Sequence, residues 1–184
     1  DGSEYTVSEV HYIAPDDTLV LGVDRGGYTQ VGPVNPATGI GGVAYSSFMV
    51  DSIEQSSRFF DEVLGYELRR EMTFRSSGKG MPDTRKGESI AFLQWFAPGA
   101  TTGYLVMMEL LDGDKKRYEP AGMASSGLSM WTFTTRSLDT INARWQAYSG
   151  EAAVVFEGRV PPFGIVRSIQ VKSPTGIPIE IIER

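Results

Sequence analysis

The chain has 184 residues, of which 41% are hydrophobic and 22% charged, a composition typical of one globular domain or of two small halves that share a core. It contains no cysteine and only one histidine, His11, which excludes disulfides, zinc ribbons, thiol nucleophiles and any mechanism that needs two histidines. The net charge of −6 disfavours phosphate backbones, and no apolar run reaches the ~18 residues of a membrane helix, so we expect neither nucleic acid nor membrane as a partner.

The first 40 residues have a different character from the rest. Short strands are predicted at 6–13 and 18–23, and glycine and proline then interrupt the stretch 24–39 too often for a helix. We predict that residues 1–40 form an extended arm or linker, or the tail of an upstream domain. Because the first residue is Asp1 and not Met, we expect a processed protein or a fragment. For the compartment, we slightly favour the cytoplasm over export.

From residue 43 onward, one order of elements occurs twice: a strand, a helix and three further strands. In the first occurrence the strands are predicted at 43–50, 66–74, 89–96 and 104–111, and the helix at 52–64. In the second occurrence they are predicted at 128–135, 153–157, 165–172 and 177–182, and the helix at 138–149. Ser52 is a predicted helix N-cap, and Gly65 is the residue type expected just after a helix end.

This internal repeat divides the chain into two modules, 43–111 and 127–184, within one domain at 41–184. Each unit can form a curved half-sheet, and the two together can close a cavity that neither encloses alone. The predicted fold class is therefore α+β, with two βαβββ modules that form a curved mixed sheet with helices outside.

Several short segments carry a resemblance to a known family. They are the run FFDEVLGY at 59–66, the strand MMELL at 107–111, the start MWTF at 130–133, and the turn and strand SPTGIPIE at 173–180. This pattern resembles the glyoxalase/bleomycin-resistance superfamily, also called the vicinal oxygen chelate proteins. The resemblance covers residues 41–184 and implies a cavity on the sheet that binds a small molecule.

The resemblance also implies four positions that hold a divalent ion in metal-dependent members, two on the first strands and two on the last strands of the modules. In this chain they are Tyr45, Met130, Glu109 and Glu180. Two carboxylates can hold Mg²⁺ or Mn²⁺ loosely, but Tyr45 binds a metal only as a phenolate and Met130 is a soft thioether. We expect no tightly bound cofactor, and a divalent metal only if Glu109 and Glu180 hold it weakly.

Glu109 and Glu180 are also the catalytic candidates. Two carboxylates that face one cavity without a metal share a proton, and such a pair can act as an acid and a base. The alternative is that each is a solvated carboxylate at the edge of a strand. Glu180 and Glu183 are three residues apart on one strand, so they point to opposite faces.

Large soft side chains are the predicted ligand-binding residues. They are Tyr45, Trp95, Met107, Met130 and Trp131, with Phe92, Met108, Tyr104 and Phe133 as further lining. Such residues suit a flat apolar ligand, and they equally suit an ordinary core. Met130 and Trp131 are neighbours on a strand, so only one of them can face the cavity.

Three functions stay open. The leading one is a bleomycin-resistance-like protein that binds a small aromatic or planar molecule without a tightly held metal. The second is a glyoxalase-like lyase, isomerase or epimerase with a weakly bound ion on Glu109 and Glu180. The third is a structural module whose cavity has closed. The resemblance further implies a homodimer, in which the arm 1–40 could reach across the partner; the mass in solution tests this.

Overall fold

The computed structural model describes residues 8–15, 19–24, 32–79, 84–112 and 130–184. Its strands are β1 (Ser8–Ile13), β2 (Leu19–Asp24), β3 (Tyr45–Met49), β4 (Glu67–Arg75), β5 (Ser89–Phe96), β6 (Tyr104–Leu110), β7 (Trp131–Thr135), β8 (Val155–Val160), β9 (Gly164–Lys172) and β10 (Pro178–Glu183). Its helices are α1 (Ile53–Arg58), which continues as a π-helical turn over Phe59–Val63, and α2 (Leu138–Ser149). We call β3–β6 with α1 module 1, and β7–β10 with α2 module 2.

The two modules have the same topology. Module 1 is a four-stranded sheet in the order β3-β6-β5-β4, and module 2 is a four-stranded sheet in the order β7-β10-β9-β8. In each sheet the first and last strands of the module are parallel neighbours, and the other pairs are antiparallel. The predicted α+β fold of two βαβββ modules is confirmed. Strands β1 and β2 form a separate antiparallel hairpin, and the domain boundary near residue 40 stays a prediction.

Local signals explain where the helices begin and end. The side chains of Ser52 and Ser137 each accept a hydrogen bond from a backbone N–H of the first turn, as N-caps do. Helix α2 ends at Gly150, which has φ of 89°, and its bounds match the predicted 138–149. The helix predicted over 52–64 is instead α-helical only to Arg58, because its second half widens into the π-helical turn.

The widened turn carries the centre of the core. Phe59, Phe60 and Val63 are all at most 1% exposed. The ring of Phe59 lies 6.3 Å from that of Trp145 and 6.0 Å from that of Tyr148, both on α2. The helices of the two modules therefore meet, and the modules share one apolar core.

The inner edges of the two sheets also meet. Phe48 on β3 packs edge-on against Trp131 on β7 with ring centroids 4.4 Å apart. The outer edges are then β4 on one side and β8 on the other. Strand β8 runs to Val160, three residues further than predicted, before the turn at 161–163.

Side chains of each sheet alternate between two faces, one against the helices and one away from them. We call these the helical face and the distal face. Leu105 and Met107 of β6, and Ile179 and Ile181 of β10, belong to the shared core and mark the helical face. Their immediate neighbours in sequence therefore project from the distal face. Neither of the described helices has the length and apolarity that crossing a lipid bilayer requires.

Candidate functional site

The distal face of module 1 carries a row of soft apolar side chains. Met49, Met108, Phe92 and Met72 are in register across β3, β6, β5 and β4, and all four are half-buried. Phe74 adds its ring 6.2 Å from that of Phe92. Methionine and aromatic groups are adaptable and polarisable, so this row can pack against flat apolar molecules of varied shape.

A more polar row lies beside it. Ser47, Val106, Gln94 and Arg70 are in register across the same four strands. Gln94 is half-buried and Arg70 is exposed at the outer edge. An amide and a guanidinium next to an apolar row can fix the orientation of a ligand that carries an oxygen-rich or anionic group.

Stacked rings close one end of this face. Tyr45 and Tyr104 are nearly parallel with centroids 5.0 Å apart, and Phe96 stacks on Tyr104 at 4.8 Å. The guanidinium of Arg69 lies 4.5 Å from the Phe96 centroid and donates to the carbonyl oxygen of Ala100. Tyr45 is thus part of an ordered ladder that bounds the face.

The distal face of module 2 is polar instead. The hydroxyl of Thr132 donates to Oε2 of Glu180 at 3.1 Å, and Gln170 is the register neighbour of Glu180 on β9. Thr134 and Ser168 lie in the next row, on either side of Ile182. The two distal faces therefore offer different chemistry on one scaffold.

Glu109 lies on the helical face, away from both of these surfaces. Its Oε2 accepts a hydrogen bond from the backbone N–H of Ile53, the first residue of α1, at 2.9 Å. In module 2 the same contact is made by Glu183, whose Oε1 accepts from the N–H of Leu138 at 2.9 Å. A carboxylate beside the first N–H groups of a helix accepts from an otherwise unpaired donor, and its negative charge interacts favourably with the positive end of the helix dipole.

This matching contact defines which residues of the two modules correspond. Glu109 corresponds to Glu183, so the counterpart of Glu180, three residues earlier on its strand, is Val106. The register agrees, since Ser47 pairs with Val106 as Thr132 pairs with Glu180. The structure does not bring Glu109 and Glu180 together: they lie on different sheets and project from opposite faces. Their catalytic roles stay predictions.

The predicted ligand-binding residues divide between the two faces. Met107, Trp95 and Trp131 lie on the helical face, where Met107 is fully buried, Trp95 packs on Phe60 and Trp131 packs on Phe48. Tyr45 lies on the distal face, and alternation along the chain places Met130 there with Thr132.

Of the further lining residues, Phe92, Met108 and Tyr104 lie on the distal face, and Phe133 packs with Tyr66 in the core. Sequence reasoning missed Met49, Met72 and Gln94 as lining residues. Alternation along β5, counted from buried Trp95, is the signal that could have found Gln94.

The four positions that a metal would use do not form a suitable donor set. With Val106 replacing Glu109 at the last-strand position, they are Tyr45, Val106, Met130 and Glu180. A hydrocarbon and a thioether are poor ligands for hard divalent ions, and one carboxylate with a phenol is too little to hold one tightly. Across the described ranges, no three His, Cys, Asp or Glu side chains lie together as a metal group.

Tyr66 and Arg167, both in the helical layer, have pKa values shifted by their surroundings. Burial raises the pKa of Tyr66 to about 12, since its ring lies between Phe60 and Phe133 where the two modules meet. The carboxylates of Asp139 and Glu183 raise the pKa of Arg167 above its usual value, through hydrogen bonds of 2.6 and 2.9 Å. Both groups support the fold around the helices, and neither lies on a distal face.

The sequence and the structure of this chain were compared with those of known proteins. No family model matches the sequence, and no curated protein matches it. Solved structures do match. A "glyoxylase/bleomycin resistance protein/dioxygenase domain" from Frankia sp. EAN1pec superposes with a TM-score of 0.52 at 20% identity, covering 78% of this chain and 92% of that one.

The chain has the glyoxalase/bleomycin resistance/dioxygenase fold. A variant of glyoxalase I from Zea mays has the same TM-score of 0.52 at 17% identity, covering 77% of this chain but only 44% of that longer one. SMU.1112c matches with a TM-score of 0.52 at 18% identity, over 77% of this chain and 98% of that one. The resemblance carried by the segments at 59–66 and 173–180 is thereby confirmed at the level of the glyoxalase/bleomycin resistance fold.

Proposed function

We propose that this chain binds a small planar or aromatic molecule on the distal face of module 1, without a tightly held metal ion. The observation that carries the proposal is the row of Met49, Met108, Phe92 and Met72, which stays half-buried outside the shared core. Four strands at ~4.8 Å spacing form a surface roughly 14 Å across, which matches a molecule of two or three fused rings.

The polar row gives this surface a direction. A ligand whose rings lie on the methionine row can place a polar or anionic group toward Gln94 and Arg70, which are register neighbours. Arg70 is the only cation of the two rows, and a guanidinium binds carboxylates and sulfonates in a fixed orientation. We therefore expect planar anions to bind more tightly than planar cations.

The probe for this proposal is 8-anilinonaphthalene-1-sulfonate, an aromatic anion with a planar naphthalene ring, whose fluorescence rises when it leaves water. Gln94 has a matched control, because Gln170 occupies the corresponding position on β9 of module 2. We expect Gln94→Glu to weaken binding of the probe about tenfold, since the new carboxylate repels the sulfonate and pairs with Arg70. Gln170→Glu adds the same charge and should leave binding unchanged.

Equal effects of the two substitutions would contradict the proposed location, and no saturable binding by the wild type would contradict the proposal itself.

The enzyme alternative is tested in parallel by titrating Mn²⁺, Ni²⁺ and Zn²⁺ into wild type, Glu109→Ala and Glu180→Ala. One ion per chain that is lost in Glu180→Ala favours a glyoxalase-like lyase, isomerase or epimerase. We expect no such ion, because Glu180 is the only carboxylate among the four positions and cannot hold a divalent ion tightly by itself.

A further inference from the structure

Strand β8, at the outer edge of module 2, is unusually apolar for an edge strand. Strand β8 exposes Val155 and Phe156 at 40% and 54%, and the adjoining residues Val154 and Ile165 are exposed at 68% and 76%. Helix α2 packs over β9 and β10, so it does not cover the apolar residues of β8. An exposed edge strand with apolar side chains is a template for pairing with another strand.

The outer edge of module 1 shows how such pairing is usually prevented. Strand β4 has an irregular register between Leu68 and Arg70, and it carries Glu67, Arg69 and Glu71 along the same stretch. Bulges and charges of this kind stop a second strand from docking. By contrast, β8 pairs with β9 in an unbroken register from Val155 to Val160, so its free edge is regular.

The sequence of β8 is complementary to itself. It reads VFEGRV, with Glu157 and Arg159 on either side of Gly158. If a second copy pairs antiparallel about a two-fold axis at Gly158, each Glu157 lies opposite Arg159 of the second copy. Phe156 then lies opposite Val160 of the second copy. Opposite charges and apolar pairs directly across an antiparallel ladder are stabilising.

The charges on β8 are available for this pairing. In the described part of the chain, neither Glu157 nor Arg159 forms an ion pair. Glu157 is the register neighbour of Arg167 on β9, so pairing would place its carboxylate between two guanidinium groups. Pairing would also cover the exposed ring of Phe156.

We propose that two copies of this chain associate through β8, in an antiparallel two-fold pairing centred on Gly158. The four-stranded sheets of the two copies of module 2 then form one continuous sheet. A single strand pair with a few apolar side chains is at the small end of specific interfaces, so the dimer is reversible and depends on concentration.

The first test is sedimentation velocity over a concentration series, with two charge variants. Arg159→Glu places Glu157 against a glutamate of the second copy, and Glu157→Arg places Arg159 against an arginine. We expect each variant alone to dimerise at least ~10-fold more weakly, since two attractive contacts become repulsive. An equimolar mixture of the two variants restores opposite charges and should dimerise like the wild type. Glu71→Arg on β4 is the matched control.

The second test uses the absence of cysteine in the chain. A Cβ added at Gly158 meets nothing within 4 Å, so Gly158→Cys is compatible with the fold. Residues directly opposite in an antiparallel pair have Cα atoms ~4.5–5.5 Å apart, which suits a disulfide. We expect oxidation to cross-link Gly158→Cys much faster than Glu71→Cys. The proposal is overturned if the wild type stays monomeric throughout, if both charge variants dimerise normally, or if the two cysteine variants cross-link at equal rates.

Discussion

On the helical face, the two modules are built alike. Glu109 and Glu183 each hold the first N–H of the helix in their own module, and Ser52 and Ser137 cap the same two helices. On the distal face, the modules differ: where module 1 has Val106, module 2 has Glu180. The comparison shows that the repeated scaffold constrains one face of each sheet and leaves the other face free to acquire different chemistry.

The largest effect is expected at the core that the modules share. Phe59→Ala removes a fully buried ring that packs on Phe60 of module 1 and on Trp145 and Tyr148 of module 2. We expect unfolding free energy to fall by about 3–5 kcal/mol, because the loss of a buried phenyl ring leaves a cavity. Urea denaturation followed by circular dichroism and by tryptophan fluorescence should give coincident transitions. Two separate transitions would show instead that each module has a core of its own.

A smaller effect is expected at high pH from Tyr66, where the modules touch. Because burial raises its pKa from 10 to about 12, the folded state favours the neutral phenol. Its contribution is intact below pH 10 and is lost as the pH rises from 10 toward 12, amounting to about 1–2 kcal/mol by pH 11. Urea denaturation between pH 8 and 11 should show a fall in stability that is reduced in Tyr66→Phe. An equally steep fall in that variant would contradict the assignment.

The smallest effect tests the likeness of the two helical faces directly. Glu183→Ala and Glu109→Ala should each cost about 1 kcal/mol, since each removes the acceptor for the first N–H of a helix. Glu183→Ala should cost a few tenths of a kcal/mol more, because it also removes the partly exposed ion pair with Arg167. Glu183→Gln should cost less, because its amide oxygen can still accept from Leu138. The urea midpoints of the three variants, compared with that of the wild type, measure these losses of stability. A loss confined to one module would break the correspondence between Glu109 and Glu183.

The elements were predictable from sequence because their signals are local. Ser137 and Gly150 bound α2 at the predicted residues, and the strands of both modules follow short apolar runs flanked by turns. The π-helical turn at Phe59–Val63 was not predicted, since the spacing of its apolar residues also fits an ordinary helix.

The facing of side chains was harder to predict. A shift of one residue moves a side chain to the other face of a strand, and Met107 and Met108 are both apolar, so nothing local distinguishes core from surface. The pairing of Glu109 with Glu180 followed from similar short segments, whereas the true counterpart, Glu183, is defined by a contact with a helix 45 residues earlier. Long-range contacts of this kind set the correspondence of the two modules.

The core contacts of Phe59 have a consequence for how this chain can change over evolutionary time. A substitution at Phe59 alters the packing of Trp145 and Tyr148, so a change at one of these three positions restricts which side chains fit at the other two, although they lie in different modules. The corresponding positions Gln94 and Gln170 share no such contact. Substitutions in the helical layer of one module are therefore constrained by the other module, while substitutions on the two distal faces are independent of each other.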